Sequence, residues 1–329
     1  MMHRAAASLL VALASVPAGS PVARAESRID LDLGRRTGEI RWSIAADAGG
    51  GSPDVLSELT YDELEIPELR ASWEITLARR FVFGARAALG SILDGDNQDS
   101  DYAGDGRTLE WSRSNNRVDG DETVNAAISV GYAFRPGAEH RARVVPQVGY
   151  SYGAQNLRVT DGFQTLSDGE IAATLELAPP PVGPFAGLDS SFEQSWLGPW
   201  VGVGAELPLG QRWGLAARGE AHWADYDAEA NWNLRDDLEH PRSFEHDADG
   251  TGVVVGVSCH RRLYRAYRVR LQLDYEDRET DRGFTRFFLA DGTRPVTRLN
   301  GVRWESLGIY LGFGLLRDTP QYSPAPPEP

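Results

Sequence analysis

Tyr267-Arg268-Val269-Arg270-Leu271-Gln272-Leu273-Asp274-Tyr275 alternates without a break, apolar at the odd positions and charged or polar at the even ones. Successive side chains of a strand point to opposite faces, so this stretch is greasy on one side and ionic on the other. The same period recurs where Leu69, Ala71, Trp73, Ile75 and Leu77 interleave with Glu68, Arg70, Ser72, Glu74 and Thr76. It returns near the C-terminus, with Leu307, Ile309, Leu311, Phe313 and Leu315 set against Gly308, Tyr310, Gly312 and Gly314. Windows with apolar residues at i, i+3, i+4 and i+7 are almost missing, so the chain reads as all-β.

A soluble sandwich alternates too, its apolar face on a core and its polar face in water. Two features favour a transmembrane barrel instead. The alternating segments are long, and aromatics gather near their ends: Trp42, Trp73, Phe81, Phe83, Phe134, Trp196, Trp200, Trp213 and Trp223. In a barrel the apolar face meets lipid and the ionic face fills the interior, with aromatic girdles at both interfaces. Ten segments follow the pattern: 28–46, 55–77, 81–93, 122–134, 142–163, 192–207, 213–232, 243–262, 267–288 and 299–316. This predicts a ten-stranded antiparallel up-and-down transmembrane barrel with both termini on the periplasmic side. Short turns fall at 78–80, 135–141, 208–212 and 263–266, and longer polar loops at 47–54, 94–121, 164–191, 233–242 and 289–298.

The bulk composition excludes other classes. The 329 residues hold 33 Lys plus Arg against 48 Asp plus Glu, a net charge of −15, which argues against nucleic acid as a partner. A single cysteine, Cys259, cannot build a disulfide framework or a cysteine metal cluster. His3 and Arg4 precede an apolar stretch over 5–16, and Ala23-Arg24-Ala25 supplies a small-x-small site, so residues 1–25 read as a secretory signal peptide. The barrel domain is then 26–316. The segment 317–329 carries five prolines and reads as a disordered tail.

Chemistry concentrates in Asp94-Gly95-Asp96-Asn97-Gln98-Asp99-Ser100-Asp101-Tyr102-Ala103-Gly104-Asp105. In an extended segment Asp99 and Asp101 project to one face, where crowded carboxylates raise one another's pKa and can divide into an acid and a base. A solvated acidic rim accounts for the same residues. A second candidate region runs from Trp223 through Asp225, Asp227 and Glu229 to His240 and His246, where a neutral imidazole can act as a general base. No nucleophile elbow, phosphate-cradling glycine loop or zinc-binding histidine pair occurs, so the sequence calls for no cofactor and no metal.

The loop and its flanking strands resemble the omptin superfamily of ten-stranded outer-membrane proteases and its Protochlamydia-type outer-membrane relatives. The resemblance runs through Ile29 to Gly34, Leu56-Ser57-Glu58-Leu59-Thr60-Tyr61, Asp99-Ser100-Asp101-Tyr102, Glu110-Trp111-Ser112, Gly149-Tyr150 and the segment from Gln194 to Gly202. It implies an aspartic-type endopeptidase at the cell surface, with Asp99 and Asp101 as one half of a water-activating site. The family's Asp-His couple falls near Ala230 and Trp232, so His240, or an acidic side chain such as Asp227, would stand in. The family's basic lipopolysaccharide-binding side chains fall near Ala154 and Ser195.

Two functions follow from different classes: an omptin-type endopeptidase acting through Asp99, Asp101 and His240, and a non-catalytic surface binding or structural barrel. A diffusion pore fits poorly, since Arg70, Glu74, Arg268, Arg270 and Asp274 crowd a ten-stranded interior. The expected setting is the bacterial outer membrane, as a monomer in lipid that includes lipopolysaccharide, with a basic peptide or protein drawn by the acidic surplus.

Overall fold

The computed structural model describes residues 25–136, 142–264 and 266–318. Residues 1–24 of the 1–25 stretch read as a signal peptide, and the proline-rich residues from 319 onward, lie outside these residues. In chain order the strands are β1 (Ala25–Ile44), β2 (Ser57–Leu77), β3 (Phe81–Ile92), β4 (Asp94–Gly104), β5 (Thr108–Asp119), β6 (Asp121–Tyr132) and β7 (Arg143–Ser167). There follow β8 (Gly183–Pro184), β9 (Ser190–Leu209), β10 (Trp213–Asn231), β11 (Phe244–Arg262), β12 (Tyr267–Thr280), β13 (Gly283–Phe287) and β14 (Val296–Asp318). One short helix, α1 (Gly169–Ala172), is capped by the Asp168 carboxylate, which accepts from the Glu170 and Ile171 amides.

The sheet closes on itself, because β1 pairs antiparallel with both β2 and β14. Around the membrane half the ring is β1, β2, β3, β6, β7, β9, β10, β11, β12 and β14, the ten-stranded barrel that the alternation predicts. Above the membrane β4 and β5 take the places of β3 and β6, and β13 that of β12, so the ring continues upward.

Three sequence expectations need correction. The segment 94–121 is not a loop but mainly a hairpin, turning at Gly106 and Arg107, both with positive φ. Its residues alternate polar with polar, so no apolar period announces a strand. The segment 267–288 breaks at Asp281, whose amide leaves the ladder to donate to Asp249 O at 2.8 Å. Trp42, Trp196 and Trp200 are buried inside the barrel and join no girdle, whereas Phe81, Phe83, Phe134, Trp213 and Trp223 do face outward.

Neighbouring residues show which face meets lipid: Leu311 is 66% exposed and Tyr310 only 1%. The inward ionic side chains neutralise one another, as charges taken from water require. Arg268 clasps Asp30 at 2.7 and 2.8 Å, Arg36 reaches Glu276 at 2.6 Å, and Arg218 bridges Glu220 at 2.8 Å and Asp274 at 3.1 Å. Gly312 and Gly314 make room for this packing, since a Cβ there would strike the Asp32 and Asp30 carboxylates. A cavity of about 290 Å³ remains beside the small residues Gly84, Ala127 and Ser129.

Above the ionic zone the interior turns apolar. Ile40, Trp42, Tyr61, Leu64, Phe192, Trp196, Tyr226, Phe244 and Trp304 belong to one buried cluster that fills the upper barrel. Trp42 stacks on Phe192 with centroids 5.7 Å apart and meets the His246 ring edge-on at 4.7 Å. Fully burying an aliphatic or phenyl side chain contributes roughly 1.5–3 kcal/mol, so this plug is a principal source of rigidity at the extracellular end.

Candidate functional site

The Asp pair sits at the upper edge of that plug. Alternation along β4 turns Asn97, Asp99 and Asp101 toward the interior, and the ladder sets Asp99 between Leu59 of β2 and Ser114 of β5. Asp101 lies between Ser57 and Ser112. The Ser57 hydroxyl donates to Asp99 Oδ1 at 3.4 Å, and a polar ladder continues below. There Asn116 Nδ2 donates to Asn97 Oδ1 at 2.7 Å and Gln164 Nε2 to Ser112 Oγ at 3.0 Å.

Burial holds the Asp99 carboxyl well above the usual carboxylate range, and the charge of Asp101 adds to the effect. Burial likewise raises Asp101 to about 6, against the opposing hydrogen bonds of Ser57 and Ser112. The pair therefore divides its proton affinities, one carboxyl protonated where the other is ionised. The cation facing both is Arg235, in the loop after β10, which favours their charged forms. Its guanidinium is held by Asp237 through two bonds, at 2.8 and 2.7 Å.

The remaining sequence candidates are scattered. His240 is exposed, with Nδ1 at 2.7 Å from Asn231 Oδ1, and among the described residues it makes no hydrogen bond to Asp99 or Asp101. Asp227 lies on the outward face of β10, opposite Asp247, and so cannot stand across the interior from the pair. The inward positions of that strand are Tyr226, Ala228 and Ala230, all buried. His246 does point inward, but Trp42, Phe192 and Phe244 wall it in, and neither ring nitrogen has a partner among the described residues. Burial pushes its pKa down to about 3.

Ser57, Ser112 and Arg235 escape sequence reasoning. The two serines reach the pair only through strand pairing, and Arg235 through a loop that carries no period.

A family model for Protochlamydia outer membrane proteins matches residues 30–316. The chain belongs to the Protochlamydia outer membrane protein family. Membership fixes the setting: it is an outer-membrane β-barrel of a bacterium. This family member is similar in fold to the outer membrane protease OmpT of Escherichia coli, with a TM-score of 0.67 at 13% identity over 89% of this chain and 97% of that one. At that identity the likeness concerns the fold. OprG of Pseudomonas aeruginosa, at 9% identity over 91% of this chain and 98% of its own, gives a TM-score of 0.36. The transport unit of the Escherichia coli autotransporter AIDA-I, at 8% identity over 92% and 94%, also gives 0.36. No curated protein matches the sequence.

Proposed function

We propose that this protein is a plugged surface barrel whose extracellular Asp99–Asp101 site binds the cationic group of a basic peptide or protein without cutting it. One observation carries the reading. The inward positions at the upper end of β10 hold Ala228 and Ala230, the cation facing the carboxylates is Arg235, and His240 is bonded to Asn231, so no general base faces the pair among the described residues. A positioned base contributes about 10²–10⁴ in rate, and an arginine, always protonated, cannot take a proton from water. The ionised carboxylate of the pair, held in a partly buried rim beside its protonated neighbour, attracts a guanidinium or ammonium group more strongly than an exposed one does.

A second reading rests on the divided proton affinities of Asp99 and Asp101. A pair sharing one proton can serve as acid and base together, which would make this an aspartic-type endopeptidase needing no histidine.

The test uses the protein in lipopolysaccharide-containing vesicles with fluorescent Arg- and Lys-rich peptides between pH 5 and 8, following binding by anisotropy and cleavage by mass spectrometry. Intact peptides whose binding is lost in Asp99→Asn and Asp101→Asn support the binding reading. Cleavage that Asp99→Asn abolishes overturns it in favour of the endopeptidase, and wild-type protein that neither binds nor cleaves removes both.

A further inference from the structure

The outward face of the barrel from β3 to β10 carries a shallow recess that neither the lumen nor the Asp99–Asp101 site uses. It opens at Phe81 and Tyr132, runs past Val148 of β7 and Val203 of β9, and ends at Gly219 of β10, in all about 800 Å³. A Cβ added to Gly219 would meet no atom within 4 Å, so the floor there is bare backbone. Among the described residues no charged side chain faces the recess: Glu220, next to Gly219, turns into the lumen onto Arg86. Phe81 is the first residue of β3, whereas Gly219 lies six residues beyond Trp213, the first of β10. Six residues span about 20 Å of strand, roughly 15 Å of height at the usual barrel tilt. The recess therefore climbs from the periplasmic rim through the hydrocarbon of one leaflet, itself about 15 Å thick.

The foot of the recess is cationic. The β2–β3 turn is tight, with Ala78 and Arg79 at φ 51° and 61° and the Arg80 amide donating to Leu77 O at 3.0 Å. It sets two exposed arginines, Arg79 and Arg80, directly before Phe81. Arg80 is drawn onto the wall of the recess: Nη1 donates to the Tyr132 hydroxyl at 3.0 Å, with the guanidinium 6.0 Å from the centre of that ring. Tyr132 packs edge-on against Phe81, centroids 5.6 Å apart. Neither arginine makes an ion pair among the described residues. Glu26, exposed at the start of β1 between Thr76 and Asp318, makes none either. Glu74 turns inward to Arg28 and Arg143, and Arg135, past Phe134, has a partner of its own. The segment 137–141 adds Glu139 and Arg141, which cancel in charge.

An apolar groove takes an acyl chain from any lipid, so the arginines at its foot select the headgroup. A guanidinium held by one bond keeps further N–H donors in the fork that matches the paired oxygens of a phosphate. A headgroup with net negative charge gains from both arginines, whereas a zwitterionic one brings a cation of its own to compete. We infer that this face seats an anionic phospholipid of the periplasmic leaflet, its phosphate on Arg79 and Arg80 and one acyl chain lying in the recess toward Gly219.

The experiment places the protein in nanodiscs of phosphatidylglycerol and phosphatidylcholine in equal amounts with identical acyl chains. Lipid retained on the released protein is counted by native mass spectrometry. Phosphatidylglycerol is expected to be retained at least fivefold over phosphatidylcholine. Arg79→Gln/Arg80→Gln should bring the two lipids level, Arg261→Gln/Arg262→Gln at the foot of β11 should leave the preference intact, and Gly219→Leu should lower retention of both lipids. Each variant is first shown folded by its heat-modifiable gel mobility. Equal retention of the two lipids by the wild type, or a preference that survives in the Arg79/Arg80 variant, overturns the inference. So does a preference lost equally in the Arg261/Arg262 variant, which would make it a property of the whole rim, and so does full retention in Gly219→Leu. Displacement of the lipid by water-soluble glycerophosphoglycerol at equal concentration would reduce the site to one for free phosphate esters and overturns it as well.

Discussion

Arg86 of β3 grips Glu220 of β10 from across the lumen, Nη1 to Oε1 at 2.6 Å and Nη2 to Oε2 at 2.9 Å. The two strands are separated by three others on the shorter way round the ring, so this bidentate pair is a strut through the barrel and not a contact between neighbours. It is braced by Arg218, which also reaches Glu220. Glu220→Ala leaves the Arg86 guanidinium without its carboxylate and Arg218 with Asp274 alone, and breaking a buried pair in this way costs about 3–5 kcal/mol. Urea unfolding in lipid vesicles should show that loss, with a smaller one in Arg86→Met/Glu220→Met. In planar bilayers the wild-type protein should give no steady conductance, because struts and aromatic plug close the ring in series.

The Asp99–Asp101 rim should loosen as pH rises. Both carboxyls bind a proton more tightly folded than unfolded, Asp101 up to about 6 and Asp99 higher still. Their contribution to stability is therefore complete below the ordinary carboxylate range and is lost as pH climbs through 6. Amide hydrogen exchange of the β4–β5 hairpin, corrected for intrinsic rates, should become less protected between pH 4 and 7. Asp99→Asn/Asp101→Asn should flatten the profile.

Arg235 competes with any incoming cation. Arg235→Ala should strengthen binding of a basic peptide about two- to tenfold at low salt, with the gain shrinking at high salt because the charge is partly exposed. Asp237→Asn, which frees the guanidinium from its clasp, should weaken the peptide instead. Anisotropy titrations at two ionic strengths measure both effects.

His246 is neutral inside an aromatic box, and neither ring nitrogen has a partner among the described residues. Its pKa falls from the ordinary 6.5 to about 3, so its contribution to stability is whole above 6.5 and is lost progressively as pH falls toward 3. Replacing it with phenylalanine removes an unsatisfied polar group, worth about 1–3 kcal/mol when buried, and keeps the stacking. His246→Phe should match or exceed the wild type in stability at pH 7 and hold a wider lead at pH 4, as read by urea unfolding at both values.

Where lipid lies on one side and an ionic lumen on the other, the strands are legible residue by residue. Tyr267 to Tyr275 forms β12 with its odd residues outward, as its period states. Legibility fails above the membrane, where Asn97, Asp99 and Asp101 alternate with residues that are also polar. It fails again for Trp42, Trp196 and Trp200, because a tryptophan near a strand end fits a girdle and a plug equally well until the parity of its strand is fixed. A shift of one residue turns every side chain to the other face.

The sequence by itself determined a closed, ten-stranded outer-membrane barrel with an acidic pair projecting from one segment, because lipid imposes a two-residue period that survives without knowledge of any neighbour. What faces that pair was decided only by tertiary structure. Ser57 and Ser112 reach it through strand register, Arg235 through a folded loop, and Ala228 and Ala230 through closure of the ring. Those relationships link residues far apart in the chain, and no local pattern records them.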